Sequence, residues 1–273
     1  MKITEAKKNI QENAVLKIAI VSRDKSQLAD IISHLCLEHL GIQPTLINLR
    51  IPLKELIGLA LRISQRHGII GFSYFIVSKW METRVIKRYK KSLKIFYRLP
   101  VKRFKAQSAE LVTYLVTEEF EVIVLGQNMI LPTTFLEAAG PRVINVHPAR
   151  LPEYRGYAEP AHALFASRPQ DIGFSIHLVC SGVDSGSLIE FVRVEIGEDD
   201  SLNASLTRVR VKGYETLFHN IAEKGLSNYL QMASRQNEEF AKKVNILPYK
   251  IRLAMDLRLT RSRIFRKLGQ VSR

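Results

Sequence analysis

The chain has little of several things. It holds two cysteines in 273 residues, Cys36 and Cys180, far apart, with no CxxC pair and no histidine at metal-ligand spacing. That excludes a disulfide framework and indicates no metal site, as suits a reducing compartment. No run of about 18 apolar residues occurs, and the opening MKITEAKKNIQENA is polar where a secretory signal would pass from basic to apolar. The expectation is a cytoplasmic protein without a membrane span. Acidic residues are also scarce: 26 Asp and Glu stand against 41 Lys and Arg, a net charge of +15.

The excess of positive charge is local. Residues 79–105 hold 11 bases and one acid, and residues 242–273 hold 10 bases and one acid, which leaves the remainder mildly acidic. The two basic segments are therefore the places where a nucleic acid or an anionic membrane surface would be met, with peripheral attachment to a membrane as the matching localisation. The rest has the composition of an ordinary enzyme domain, and its 46% hydrophobic content supports a sizeable core.

What is there alternates between strand and helix. Leu16–Ser22 (LKIAIVS) reads as a buried strand, Ser26–Leu40 as a helix stopped by Gly41, and Thr45–Leu49 as a second strand, which implies a right-handed crossover. Residues 53–105 break that rhythm and read as a basic helical insertion, with Val85, Tyr89, Leu93 and Phe96 on one face. The pattern then resumes with a helix over 107–117, a strand at Val122–Leu125, a short helix over 132–139 and a strand at Val143–Val146. Phe174–Val179 and Leu188–Val194 read as strands with one wetter face, and Ser201–Lys224 as a closing helix. The fold class is α/β, an open and mostly parallel sheet. The domain is expected over 15–225, with 226–273 as a basic tail.

The most informative stretch is INVHPARLPEYRG, residues 144–156. Asn145 and His147 lie two apart at the end of an apolar run and project to one face, where ligands of open α/β sheets bind. An amide and an imidazole converging on one small volume suit an oxyanion formed in acyl or formyl transfer. In the loop that follows, Arg150 and Arg155 are candidates to clamp an anionic group of a substrate, with Gly156 beside them. His162 and His177 read as structural histidines.

INVHPARLPEYRG resembles the NxHPSLLPxxxG segment of the folate-dependent formyltransferases, a group that includes glycinamide ribonucleotide, methionyl-tRNA and sugar N-formyltransferases. VIVLGQNMILPTTFL (residues 122–136) is similar to the family's strand, glycine turn and helix start, and GFSIHLVCSGVDSGSLI (residues 173–189) to its GvTvHxVxxxxDxGxIi segment. The resemblance spans about residues 15–225. It implies a twisted Rossmann-like sheet with helices on both faces, and catalytic Asn145, His147 and Asp184. It also implies 10-formyltetrahydrofolate as formyl donor, with no metal, held against Leu125, Gly126, Gln127, Asn128 and Met129 on one side and Val179, Cys180 and Gly182 on the other. The acceptor would be a primary amine, a nucleotide-linked amino sugar being favoured. The other readings are activity on methionyl-tRNA or glycinamide ribonucleotide, hydrolysis of the formyl-folate, and a non-catalytic module that binds anionic surfaces.

The chain departs from the family at informative points. SRDKSQ after the first strand lacks the glycine-rich run that cradles a ribonucleotide phosphate in the purine enzyme. ARLP replaces the usual SLLP, YRGYAEP follows no subgroup fully, and the expectation for the residues after 225 is a short basic tail in place of the β-barrel of the methionyl-tRNA enzymes.

Overall fold

Four consecutive buried residues, Ile18 to Val21, make β1 (Ile18–Arg23) a strand covered on both faces. The chain is described by a computed structural model over residues 16–259, apart from 25, 51–52, 96–99, 106–107, 127–130 and 198–199. The chain continues through α1 (Gln27–Leu40), closed by Gly41 at φ 68°, and β2 (Thr45–Arg50), which pairs with β1 in parallel. Then come α2 (Leu53–Ser92), β3 (Val101–Lys105), α3 (Ala109–Glu118), β4 (Val122–Leu125), α4 (Thr133–Ala139) and β5 (Val143–His147). After a loop and the short β6 (Arg155–Gly156) follow α5 (Pro160–Phe165), β7 (Gly173–Leu178), β8 (Leu188–Arg193), α6 (Leu202–Lys224), α7 (Leu226–Gln231) and β9 (Lys243–Val244). Residues 249–259 form a last helix.

The main sheet has the order β3-β2-β1-β4-β5-β7-β8. Its first five strands are parallel, and β7 and β8 are antiparallel to their neighbours. Alternate residues of β1 serve different cores. Ile18 and Ile20 pack with α1 and α6 on one face, while Ala19 and Val21 pack with α3 and α4 on the other. The fold is thus the open, mostly parallel α/β sheet with two helical layers that the alternation implies. The tightest seam is at Gly213 of α6, where a β-carbon would lie 2.4 Å from a Val146 methyl and 3.1 Å from the Phe174 ring.

The segment 53–105 holds more than a helical excursion. The helix α2 runs for 40 residues with a break at Gly68 (φ 66°, ψ −175°), and of the face read from the sequence Tyr89, and Leu93 just past the helix end, pack partly buried against the core. Phe96 lies outside the described residues. Val101–Lys105, set within the insertion by the sequence reading, joins the sheet in parallel as its edge strand beside β2.

Residues 226–259 return to the domain. The strand β9 pairs with β6 in a separate two-stranded parallel sheet. Asp256 accepts from the Tyr74 hydroxyl at 2.6 Å and from the Leu202 amide at 3.1 Å, and Arg252 meets Glu159 at 2.6 Å. No helix among the described residues is long and apolar enough to cross a membrane.

Candidate active site

The carboxyl end of β5 carries Asn145 and His147, buried at 5% and 0% exposure. Their surroundings follow from register. The antiparallel pairing of β5 with β7 sets Asn145 directly opposite His177, so the two side chains share a sheet face, with the Asn145 amide nitrogen 3.1 Å from His177 Nε2. His177 Nδ1 lies 2.8 Å from the Leu178 carbonyl, which can only accept. Neutral His177 thus carries its proton on Nδ1 and takes one Asn145 N–H at Nε2. The second N–H of that amide and its oxygen are left over, and the oxygen is buried without a hydrogen-bond partner.

His147 is fixed in the same way. Its Nε2 sits 2.7 Å from the Tyr154 carbonyl and must carry the proton. Its Nδ1 is buried, has no hydrogen-bond partner, and lies 3.6 Å from Asp184 Oδ2. The other carboxylate oxygen lies 3.6 Å from His177 Nε2. Asp184 therefore sits between two buried imidazoles. Burial pushes His147 below the usual histidine range while the Asp184 carboxylate pulls it up. Burial also pushes His177 down to about 4, against Asp184 and reinforced by His147. Asp184 itself is in the left-handed region at φ 50°, and its Oδ2 accepts from the Gly156 amide at 2.8 Å.

The loop between β5 and β6 is stapled from below. The Ser175 hydroxyl donates to the Ala149 carbonyl at 2.8 Å and accepts from the Leu151 amide at 2.9 Å. Neither arginine of the loop has an idle guanidinium. Arg150 reaches Glu153 at 3.1 Å and Asp171 at 3.5 Å, above the Phe191 ring. Arg155 donates to Gln236 at 2.8 Å and to both Glu238 oxygens at 2.8 and 2.9 Å. Gly156 joins the centre through its amide, at φ 92°, where a β-carbon would meet the Val244 carbonyl at 2.8 Å.

Among the residues expected to hold the donor, Leu125 is buried and its carbonyl accepts from Tyr214 at 2.6 Å. Gly126 rests against Ser22 and Val21, and Val179 donates its amide to Val143 at 2.8 Å. Gln127, Asn128 and Met129 lie outside the described residues. Cys180 is exposed, with its sulfur 3.2 Å from the Ser185 hydroxyl. Gly182, Val183 and Ser185 line an open cavity of about 370 Å³, together with Arg155, Ala241 and Lys243. No group of acidic, histidine and cysteine side chains able to hold a metal occurs among the described residues.

Two residues reach this centre that the sequence reading did not assign to it. His177 looks like a mid-strand structural histidine until the register with β5 is known. Gln236 lies in a segment without any motif.

Comparison with known proteins follows the same lines. A family model described as "Formyl transferase" matches residues 63–221. A methionyl-tRNA formyltransferase of Streptococcus agalactiae serotype III (strain NEM316) is 29% identical over 127 residues, 46% of this chain and 40% of that protein. A phosphoribosylglycinamide formyltransferase of Bacillus subtilis (strain 168) is 32% identical over 100 residues, 36% of this chain and 51% of that protein. The match thus spans about half or less of these curated relatives. Among solved structures, a sugar N-formyltransferase from Shewanella sp FDAARGOS_354 superposes with a TM-score of 0.52 at 16% identity, covering 87% of each chain, which shows a shared fold.

Proposed function

Because the chain belongs to the formyl transferase family, whose model matches more than half of it, we propose that it moves a formyl group from 10-formyltetrahydrofolate to a primary amine. The observation that carries this reading is the pair of buried, unpaired polar atoms at the end of β5, His147 Nδ1 and Asn145 Oδ1, beside the Asp184 carboxylate. Unpaired polar atoms in a buried site cost free energy unless water or a ligand completes them. An amine, with N–H groups to give to an amide oxygen and a ring nitrogen, has the matching chemistry.

The folate, when bound, supplies a formyl carbon ready for attack; Gly126 and the turn at Val179, Cys180 and Gly182 would hold it largely through main chain. The transfer balances with no other reagent: the amine nitrogen bonds to the formyl carbon, the bond from that carbon to N10 breaks, and one proton passes from the amine to N10. His147 begins neutral, since burial outweighs its partner. Its Nδ1 takes the amine proton, Asp184 offsets the resulting charge, and the ring then returns the proton to the departing nitrogen. The second Asn145 N–H stabilises the negative charge that develops on the formyl oxygen. His177 keeps that amide from turning over.

The favoured acceptor is a nucleotide-linked amino sugar. The loop after β1 lacks a glycine-rich phosphate cradle, which argues against glycinamide ribonucleotide, and the Shewanella protein that shares the fold is a sugar N-formyltransferase. Arg150 and Arg155 act in this reading as braces of the acceptor loop, since their charge is already met by the protein's own carboxylates. The test is a panel of amino-sugar nucleotides, glycinamide ribonucleotide and methionyl-tRNA with the formyl donor, followed by absorbance of the released tetrahydrofolate. Transfer to an amino sugar, lost by about 10²-fold or more in His147→Ala or Asn145→Ala, is expected. Full activity of a folded His147→Ala protein overturns the reading.

The outer side of α2 supports attachment to an anionic lipid surface. Ile69, Ile76 and Trp80 are exposed at 83%, 52% and 54%, and they fall on one side of the helix with Arg84, Lys87 and Lys91 further along it. Arg84 lies over the Trp80 ring at 3.8 Å, where the apolar half passes into the basic half. Anionic headgroups above an acyl boundary match both halves, whereas a phosphate backbone would leave the aliphatic half unused.

A further inference from the structure

The turn that carries Asp184 is held by a residue from the far end of the chain. Gln236 is 5% exposed, and its amide nitrogen donates to the Asp184 carbonyl at 2.9 Å and to the Gly186 carbonyl at 2.6 Å. Its oxygen accepts from Arg155 Nε at 3.2 Å and from Arg155 Nη2 at 2.8 Å. The amide is thereby fully used, two donors on one turn and two acceptor positions on one guanidinium. The Asp184 backbone, at φ 50°, is in a region that side chains other than glycine enter at a cost, and such residues persist where their surroundings over-determine them. Here the surroundings are countable: Gln236 fixes the main chain on both sides of Ser185, and the Gly156 amide fixes the carboxylate.

The Gly156 restraint comes from the same segment. Arg155 donates its amide to the Lys242 carbonyl at 2.9 Å, Tyr157 to Val244 at 3.2 Å, and Lys242 to Pro152 at 3.2 Å, so β9 clamps β6 along both edges of Gly156. Glu238 closes the ring by taking the rest of the Arg155 guanidinium, which holds the Glu238 carboxyl below its usual range.

We infer that Gln236 is a positioning residue for Asp184, and that residues 236–244 are a working part of the active site. The inference rests on the proposed role of Asp184 in proton transfer. Gln236 touches no reacting atom; it acts by keeping the Asp184 carboxylate at its distance from His147. No shorter or purely accepting side chain does the same, because two carbonyls must receive hydrogen while a guanidinium is accepted.

Gln236→Met and Gln236→Ala test this in the 273-residue chain, with Asp184→Asn alongside. Two readouts are needed. The first is titration of His147 by NMR without any ligand. Asp184 is the group that raises the proton affinity of His147, so a receding carboxylate moves the His147 midpoint to lower pH in Gln236→Met. The second is transfer from 10-formyltetrahydrofolate to a nucleotide-linked amino sugar, where kcat falls about 10- to 100-fold with KM for the folate changed less than threefold. Gln236→Met that folds, titrates as the parent does and keeps kcat within twofold overturns the inference. So does unfolding of both Gln236 variants, which would make the residue a purely structural one. If Asp184→Asn is fully active, the proposed function falls first; if it is inactive while Gln236→Met is unimpaired, only the positioning role falls.

Discussion

At the scale of single residues, the centre combines atoms that are cheap to hold with atoms that are costly. His147 and His177 are both fully buried imidazoles that burial drives toward the neutral form, His177 from an ordinary 6.5 to about 4. In the unfolded chain both return to the ordinary range and bind protons more readily. Between about pH 6.5 and 4 the unfolded state therefore carries more protons than the folded one at His177, and stability falls as pH falls through that window. The slope that one such histidine contributes is at most about 1.4 kcal/mol per pH unit. Thermal midpoints measured from pH 7 to pH 5 should drop, and His177→Gln should flatten the drop; an equally steep curve in that variant would refute the assignment. The gathering of Asn145, His147 and Asp184 in one place was legible in the sequence through the resemblance of their short segments to a known family, and their catalytic roles are the proposal. His177 was not, since its partner is set by the pairing of β5 with β7, and Gln236 was not, since nothing near it in sequence marks a carbonyl-capturing amide.

Secondary-structure elements were legible wherever both faces of a strand are apolar. The strands β1, β4 and β5 announce themselves as continuous buried runs, and α3 and α6 fall within two residues of the helices expected over 107–117 and 201–224, each capped by a serine, Ser108 and Ser201. The edge strand β3 was missed for a physical reason. Its sequence VKRFK puts Val101 and Phe104 half inside and leaves Lys102, Arg103 and Lys105 exposed, as charged edges that resist further pairing do. Surrounded by other basic residues, it read as part of the insertion. The seam between α6 and the sheet gives an element-level expectation. Gly213→Ala adds a methyl 2.4 Å from Val146, closer than packed atoms tolerate, and the gain in helix propensity of about 1 kcal/mol does not offset an overpacking cost of about 1–3 kcal/mol. Denaturant titration should show a net loss of stability with an unchanged m-value. A more stable Gly213→Ala protein would mean that α6 lifts from the sheet without cost.

For the whole molecule, the uneven charge visible in the sequence has a structural counterpart in the outer face of α2. Sedimentation with vesicles containing phosphatidylglycerol should carry the protein down, vesicles of phosphatidylcholine alone should not, and about 0.5 M salt should release most of it, because screening at that ionic strength shortens the reach of each charge. Trp80→Ser with Ile76→Ser should weaken the anionic association while leaving the proposed amine formylation within a few-fold; no difference between the two lipids would remove the proposed membrane role. The ladder between β6 and β9 has another consequence, for the order in which the protein comes into being. Synthesis runs from the amino terminus, and Gln236 follows its partner Arg155 by 81 positions. Every strand of the main sheet is synthesised before that amide exists. A nascent chain can therefore assemble the sheet while the turn at Asp184 is still unbraced, and the chemistry proposed for that turn waits on the short strand that pairs with the sixth.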